Sequence, residues 1–180
     1  METSQGTTIK FSEAAIEKTK RKMQYVREHA NELGPFTVTV LLRKEDDLLS
    51  SAKRAGLDHV WFSDEPKDRG GQGKGPSPLS YFLSSMGFCQ LVHYSEHCMA
   101  ESIKLDSLEV KIDGKASNQT PRRFTEVTYE VTIHSSEEDE VVKRLARAAA
   151  DECYVTGTLK NACKLTGIIT HNGRLVDEHH

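Results

Sequence analysis

Three observations predict a chain of mixed helices and strands. Two long segments, from Ser77-Pro78 and from Ser136 to Cys153, carry helical periodicity behind capping signals. The runs Phe36–Arg43, Leu57–Phe62 and Val127–Ile133 are β-rich or alternate apolar with polar residues. A glycine-rich run, Gly70-Gly71-Gln72-Gly73-Lys74-Gly75-Pro76, divides the first strands from the first long helix. At 180 residues the chain is long enough for one domain with a proper core. That domain is expected over 36–180, with 1–35 as a helical extension.

The extension lacks Gly and Pro from 11 to 33 and places Ile16, Met23, Val26 and Ala30 on a narrow apolar stripe, so a surface helix ended by Gly34-Pro35 is expected. The strands near Phe36 and Leu57 form a meander, and the charged link between them has room for a third. Residues 63–77 read as a flexible loop. Ser77-Pro78 then starts a helix running to about Ala100, with a cap followed by proline at the first helical position. Leu79, Tyr81, Phe82, Leu83, Met86, Phe88, Leu91 and Val92 spread apolar groups nearly all round it, the pattern of a central helix buried on most sides.

Beyond it, Ile103 to Ile112 and Val127 to Ile133 read as two strands joined by a turn over Lys115–Pro121. Ser136 and Asp139 resemble a capping box for a second helix with the stripe Val141, Val142, Leu145, Ala148 and Ala149, ending near Cys153. A short helical turn after Thr156, a strand over Leu165–Thr170 and an exposed polar end complete the reading.

Composition excludes several classes of function. The net charge is −3, and 24 Lys and Arg are interleaved with 27 Asp and Glu, which speaks against a nucleic-acid partner. No apolar stretch approaches the ~18 residues of a spanning helix, and the polar start is no signal peptide, so no membrane partner and a cytoplasmic location are expected. In that reducing setting four cysteines read as free or reactive thiols rather than a disulfide framework.

Cys89 lies about three turns into the buried helix, out of reach of that helix's own N-terminal dipole, and needs another activator to be nucleophilic. His93, four residues on and on the same face, and Arg69, in the glycine-rich loop, are the candidates. Cys153 follows Asp151 and Glu152 at a helix end, where thiolate is disfavoured, which suits a thiol that condenses with a sulfenic acid formed elsewhere. The alternative is that both are ordinary buried thiols. Cys98 stands on the opposite side of the helix from Cys89 and cannot pair with it within a chain, and Cys163 reads as structural or incidental. The pair His93 and His97 lacks any metal-binding signature, and Lys74 is followed by Gly-Pro, unlike a phosphate loop.

The ordered set Ser63-Asp64-Glu65-Pro66, Gly70-Gly71, Gly75-Pro76-Ser77-Pro78-Leu79, the helix with Cys89, two strands, and Cys153-Tyr154-Val155 with Thr158-Leu159 resembles the OsmC/Ohr family over residues 36–170. The resemblance implies an α+β, OsmC-like fold in which β-sheets wrap central helices in an intertwined homodimer. It implies a thiol peroxidase in which Cys89 attacks an organic hydroperoxide, Cys153 resolves it as a disulfide, Arg69 assists, and a dithiol reductant resets the pair. No metal, flavin or haem is called for. Phe82, Met86, Phe88 and His93 are the candidate substrate-binding residues. Two positions depart from the family pattern. The glutamate expected just after the proline is absent, since Leu79 and Ser80 follow Pro78, leaving Glu65, Asp68 or a partner-chain group to orient the arginine; and Tyr154 replaces the proline after the second cysteine. The departures keep a second function in view, a non-catalytic redox-sensing or small apolar ligand-binding module. They also lead to the expectation that the loop from Asp68 to Gly75 is mobile.

Overall fold

The computed structural model describes residues 8–162 and 164–179, with only the backbone at Lys164 and Leu165; Cys163 lies outside the described residues. Helices span Glu13–Glu28 (α1), Pro78–Glu101 (α2), Asp139–Glu152 (α3) and Tyr154–Ala162 (α4). Strands span Val40–Asp46 (β1), Leu49–Arg54 (β2), Val60–Ser63 (β3), Ser107–Ser117 (β4), Arg123–His134 (β5), Lys164–His171 (β6) and Arg174–His179 (β7). The architecture is α+β, as expected. The chain divides into two compact units, Asn31–Ser84 and the remainder, with α2 beginning in the first and continuing into the second.

In the smaller unit β1, β2 and β3 form the antiparallel meander. The loop after β3 is not the unstructured segment that its glycines suggest. Asp64, 1% exposed, accepts hydrogen bonds from the amides of Glu65 (2.9 Å), Gln72 (2.9 Å) and Lys74 (3.1 Å), gathering the run around one carboxylate. Burial works against its charge, but the amides of Lys74, Gln72 and Glu65 outweigh that and hold the carboxyl below its usual range. Two of the glycines are close-approach residues: a Cβ at Gly71 would stand 1.8 Å from the Glu65 carbonyl oxygen, and one at Gly75 2.4 Å from that of Phe62.

The larger unit is built on the sheet β4-β5-β6-β7, antiparallel except for the β5–β6 pair, which is parallel. Period-two alternation on β5 turns Val127, Tyr129, Val131 and Ile133 inward, and Val142, Leu145, Ala146 and Ala149 of α3 and Ile169 of β6 are enclosed with them. Two helices, α3 and α4, fill the crossover between the parallel strands. The end expected to be an exposed polar tail pairs as β7, anchored by Arg147 Nε donating to Asp177 Oδ2 at 2.8 Å.

Two local expectations are corrected. The first helix stops at Glu28, not at Gly34, because His29 leaves helical geometry and its ring stacks on Tyr25 at 4.3 Å. The capping box at Ser136 does not form: Glu138 is the cap residue, and the Asp139 carboxylate is taken by His171 Nδ1 (3.0 Å) and Arg174 Nη2 (2.9 Å). In the single chain α2 buries one side, through Met86, Gln90, Tyr94, His97 and Cys98, while Leu79, Phe82, Phe88 and Val92 are exposed.

Candidate functional site

The site is assembled where α3 gives way to α4. Cys153 caps the end of α3 with extended dihedrals (φ −73°, ψ 111°) and immediately precedes α4, whose first backbone bond runs from the Gly157 amide to the Cys153 carbonyl at 2.9 Å. Its sulfur accepts from the Thr156 amide at 3.4 Å, the position that an N-cap side chain takes. Cys153 is 1% exposed.

Cys89, half-buried on α2, reaches the same helix end. Its thiol lies near enough to the Cys153 side chain and to the amides of Val155 and Tyr154 for all three to act on its ionisation. The two sulfurs therefore share the amino end of α4, where free N–H groups and the helix dipole favour negative charge. Cys89 receives nothing from the dipole of its own helix, as its mid-helix position requires, and the second helix supplies what the first cannot. Burial nonetheless dominates: it pushes the Cys89 thiol up from its ordinary value, the neighbouring Cys153 adds to the rise, and the Val155 and Tyr154 amides offset only part of it.

Arg69 ends the short helical turn Lys67–Arg69 in the smaller unit, its side chain 68% exposed and its Nη1 3.9 Å from Glu65 Oε2. Glu65 is thus the carboxylate beside the arginine. His93 turns to carboxylates: its Nδ1 lies 3.6 Å from Glu96 Oε2 and 3.7 Å from Glu152 Oε2, and its ring is 6.4 Å from that of Tyr154. His97 shares the same acid, with Nε2 3.1 Å from Glu152 Oε2. Among the described residues no group of three or more His, Cys, Asp or Glu side chains is arranged to hold a metal ion.

Of the candidate substrate-binding residues, Phe88 is 66% exposed, Phe82 42%, and Met86 is fully enclosed. Beside Phe88 an open groove of about 450 Å³ is lined by Thr19, Leu91, Val92, Ser95 and Met99. Helix α1 reaches this region through Thr19 Oγ1, which contacts Met99 Sδ at 3.7 Å, and through Lys22 Nζ, 2.5 Å from Glu96 Oε1. Cys98 is buried, its thiol pushed up to about 12 by burial and then by Glu101 and Glu137, consistent with a packing role.

Sequence reasoning missed the polar groups behind the two thiols. Gln90 Nε2 donates to Thr156 Oγ1 at 3.1 Å, the Gln90 side chain lies near the Tyr129 hydroxyl, and that hydroxyl meets His179 Nδ1. The available signal was a lone amide in the apolar run Phe88-Cys89-Gln90-Leu91-Val92.

The fold is similar to that of solved proteins. The chain is similar in structure to an OsmC-like protein from Mycoplasma pneumoniae (21% identity, TM-score 0.67, covering 77% of this chain and 99% of that one). It is similar to an organic hydroperoxide resistance protein from Elizabethkingia anophelis (15%, 0.60, 77% and 99%). A third is an organic hydroperoxide resistance protein OsmC from Legionella pneumophila (12%, 0.57, 77% and 99%). At these identities the likeness is one of fold. No curated protein matches the chain. No helix among the described residues is long and apolar enough to cross a membrane. The sequence model of the OsmC-like protein family matches residues 71–167, more than half of the chain and inclusive of both cysteines, so the chain belongs to the OsmC/Ohr family.

Proposed function

We propose that this protein is a thiol-dependent peroxidase that reduces organic hydroperoxides with Cys89 as attacking and Cys153 as resolving thiol. The observation that carries the reading is the nearness of the two thiols to each other and to the amino end of α4. The Cys89 thiolate attacks the terminal oxygen of ROOH; the O–O bond breaks, RO⁻ leaves and is protonated to ROH, and Cys89 becomes a sulfenic acid. The Cys153 sulfur then attacks that sulfur, an S–S bond forms, and the hydroxyl leaves with the Cys153 proton as water. A dithiol reductant, itself oxidised to a disulfide, restores both thiols.

Within this scheme Arg69 approaches Cys89 and lowers its pKa, with Glu65 steadying the guanidinium and His93 a secondary contributor. Phe82 and Phe88 offer apolar surface to the organic part of the substrate, and Met86 packs behind the nucleophile. A second copy of the chain in a homodimer covers the exposed apolar side of α2, as the family resemblance implies. The setting is the cytoplasm. Thiol titration during addition of cumene hydroperoxide tests the function: two thiols lost per chain, with one equivalent of alcohol released, is the expected result, and an inert Cys89 contradicts it.

The second reading is a non-catalytic redox-sensing or small apolar ligand-binding protein on the same fold. It is favoured by the burial that raises the Cys89 thiol and by Leu79 and Ser80 standing where the family glutamate is expected. Stoichiometric oxidation without turnover in the presence of a dithiol would select it.

A further inference from the structure

Gln90 is the residue after Cys89 on α2, so its side chain projects about 100° away from the thiol. It is 1% exposed, in the company of Met86 and Tyr94. An amide in that position is costly unless its hydrogen bonds serve a purpose, since a leucine or methionine of similar size would fill the space without desolvating polar atoms. Its amide nitrogen donates to Thr156 Oγ1 at 3.1 Å, and the side chain lies near enough to the Tyr129 hydroxyl to act on it. Its Oε1 is left without a hydrogen-bond partner among the described residues.

Thr156, fully buried, is the residue whose amide donates to Cys153 Sγ at 3.4 Å. One side chain therefore ties the helix that carries the first sulfur to the turn that holds the second. Tyr129 supports the amide from the other side, its hydroxyl meeting His179 Nδ1, while His179 Nε2 lies 3.6 Å from Asp177 Oδ2. The sheet makes room for that ring at Gly167, where a Cβ would stand 2.0 Å from Tyr129 Cζ.

We infer that Gln90 is a positioning residue for disulfide formation, tying α2 to Thr156 so that the α3–α4 junction presents Cys153 to Cys89. The inference rests on the two-cysteine reading of the site. Neither Gln90 nor Thr156 touches the peroxide; they act through Cys153 by holding its sulfur at a fixed place, which raises the effective concentration of one thiol toward the other.

The test is redox equilibration of the protein with glutathione, in which the dithiol and one oxidised glutathione give the Cys89–Cys153 disulfide and two reduced glutathiones. A bond that only stabilises the fold supports oxidised and reduced protein equally and leaves this equilibrium unmoved; a positioning bond shifts it. Gln90→Met and Thr156→Val should each lower the equilibrium constant about tenfold, the scale of a lost buried hydrogen bond, while Thr156→Ser, which keeps the hydroxyl, stays within about twofold of the parent. Urea midpoints of the reduced proteins give the stability change for comparison. Parental equilibrium constants in Gln90→Met and Thr156→Val would overturn the inference, as would failure of the parent to form this disulfide with glutathione. A parent that forms it in a Gln90-dependent way yet ignores organic hydroperoxides would sustain the inference and remove the peroxidase reading alone.

Discussion

Cys89 of α2 and Cys153 of the α3–α4 junction lie near each other at the amino end of α4, where the Thr156 amide donates to the Cys153 sulfur at 3.4 Å and the Val155 and Tyr154 amides act on the Cys89 thiol. The disulfide proposed between them requires Cα atoms about 4.4–6.8 Å apart once bonded. A thiol pair kept solely for packing has no need of amide donors.

Replacing the second thiol separates the two chemical steps. In Cys153→Ser, one equivalent of organic hydroperoxide should leave a sulfenic acid on Cys89 that dimedone traps in most of the chains, whereas the parent traps little. Mass spectrometry reads the adduct directly. Equal trapping in both proteins would mean that Cys153 does not resolve.

The pH profile of Cys89 follows from its surroundings. Burial raises the thiol, Cys153 raises it further, and the Val155 and Tyr154 amides pull the other way without prevailing. Alkylation by iodoacetamide should climb steadily from pH 7 to pH 9, by up to about tenfold per unit, because only the thiolate reacts. Removing a guanidinium that assists the thiolate moves the midpoint upward, so Arg69→Ala should shift the profile to higher pH by about one unit or more. An unchanged profile in Arg69→Ala would take the arginine out of the site.

Asp64 gives the loop after β3 its own pH dependence. Its folded pKa is depressed, so its contribution is complete above the unfolded value of about 3.9 and is lost as pH falls through the lower folded value. Asp64→Asn should be less stable than the parent at neutral pH, and the gap between their urea midpoints should narrow below about pH 4. A constant gap would show that the charge of Asp64 is not what organises the loop.

Gly167 tests the packing behind the site. Because an added methyl would overlap the Tyr129 ring, Gly167→Ala should cost about 1–3 kcal/mol of stability. Combining it with Tyr129→Val should recover part of that loss, a coupling that a double-mutant cycle measures.

The sequence carried much of the fold. Period-two alternation marked β5, and Ser77-Pro78 marked the start of α2, because both are local signals that tertiary structure respected. Competition among polar side chains was less legible: nothing local says that Asp139 will bind His171 instead of capping α3, or that His29 will stack on Tyr25 and end α1. The same holds for the loop around Asp64, whose glycines read equally well as flexibility or as close packing until the buried carboxylate is seen. In the site, both cysteines stood out by type and placement. The electropositive element beside them did not, since it is the start of α4, and chain order alone put Cys153 at the unfavourable end of α3.

The central claim is tested most directly by peptide mapping of the full-length protein after one equivalent of organic hydroperoxide. A single disulfide joining the Cys89 and Cys153 peptides, formed before any change at Cys98 or Cys163 and reversed by a dithiol, is the result predicted. Cys89 and Cys153 both recovered as free thiols, or a disulfide that pairs either of them elsewhere, would contradict the account.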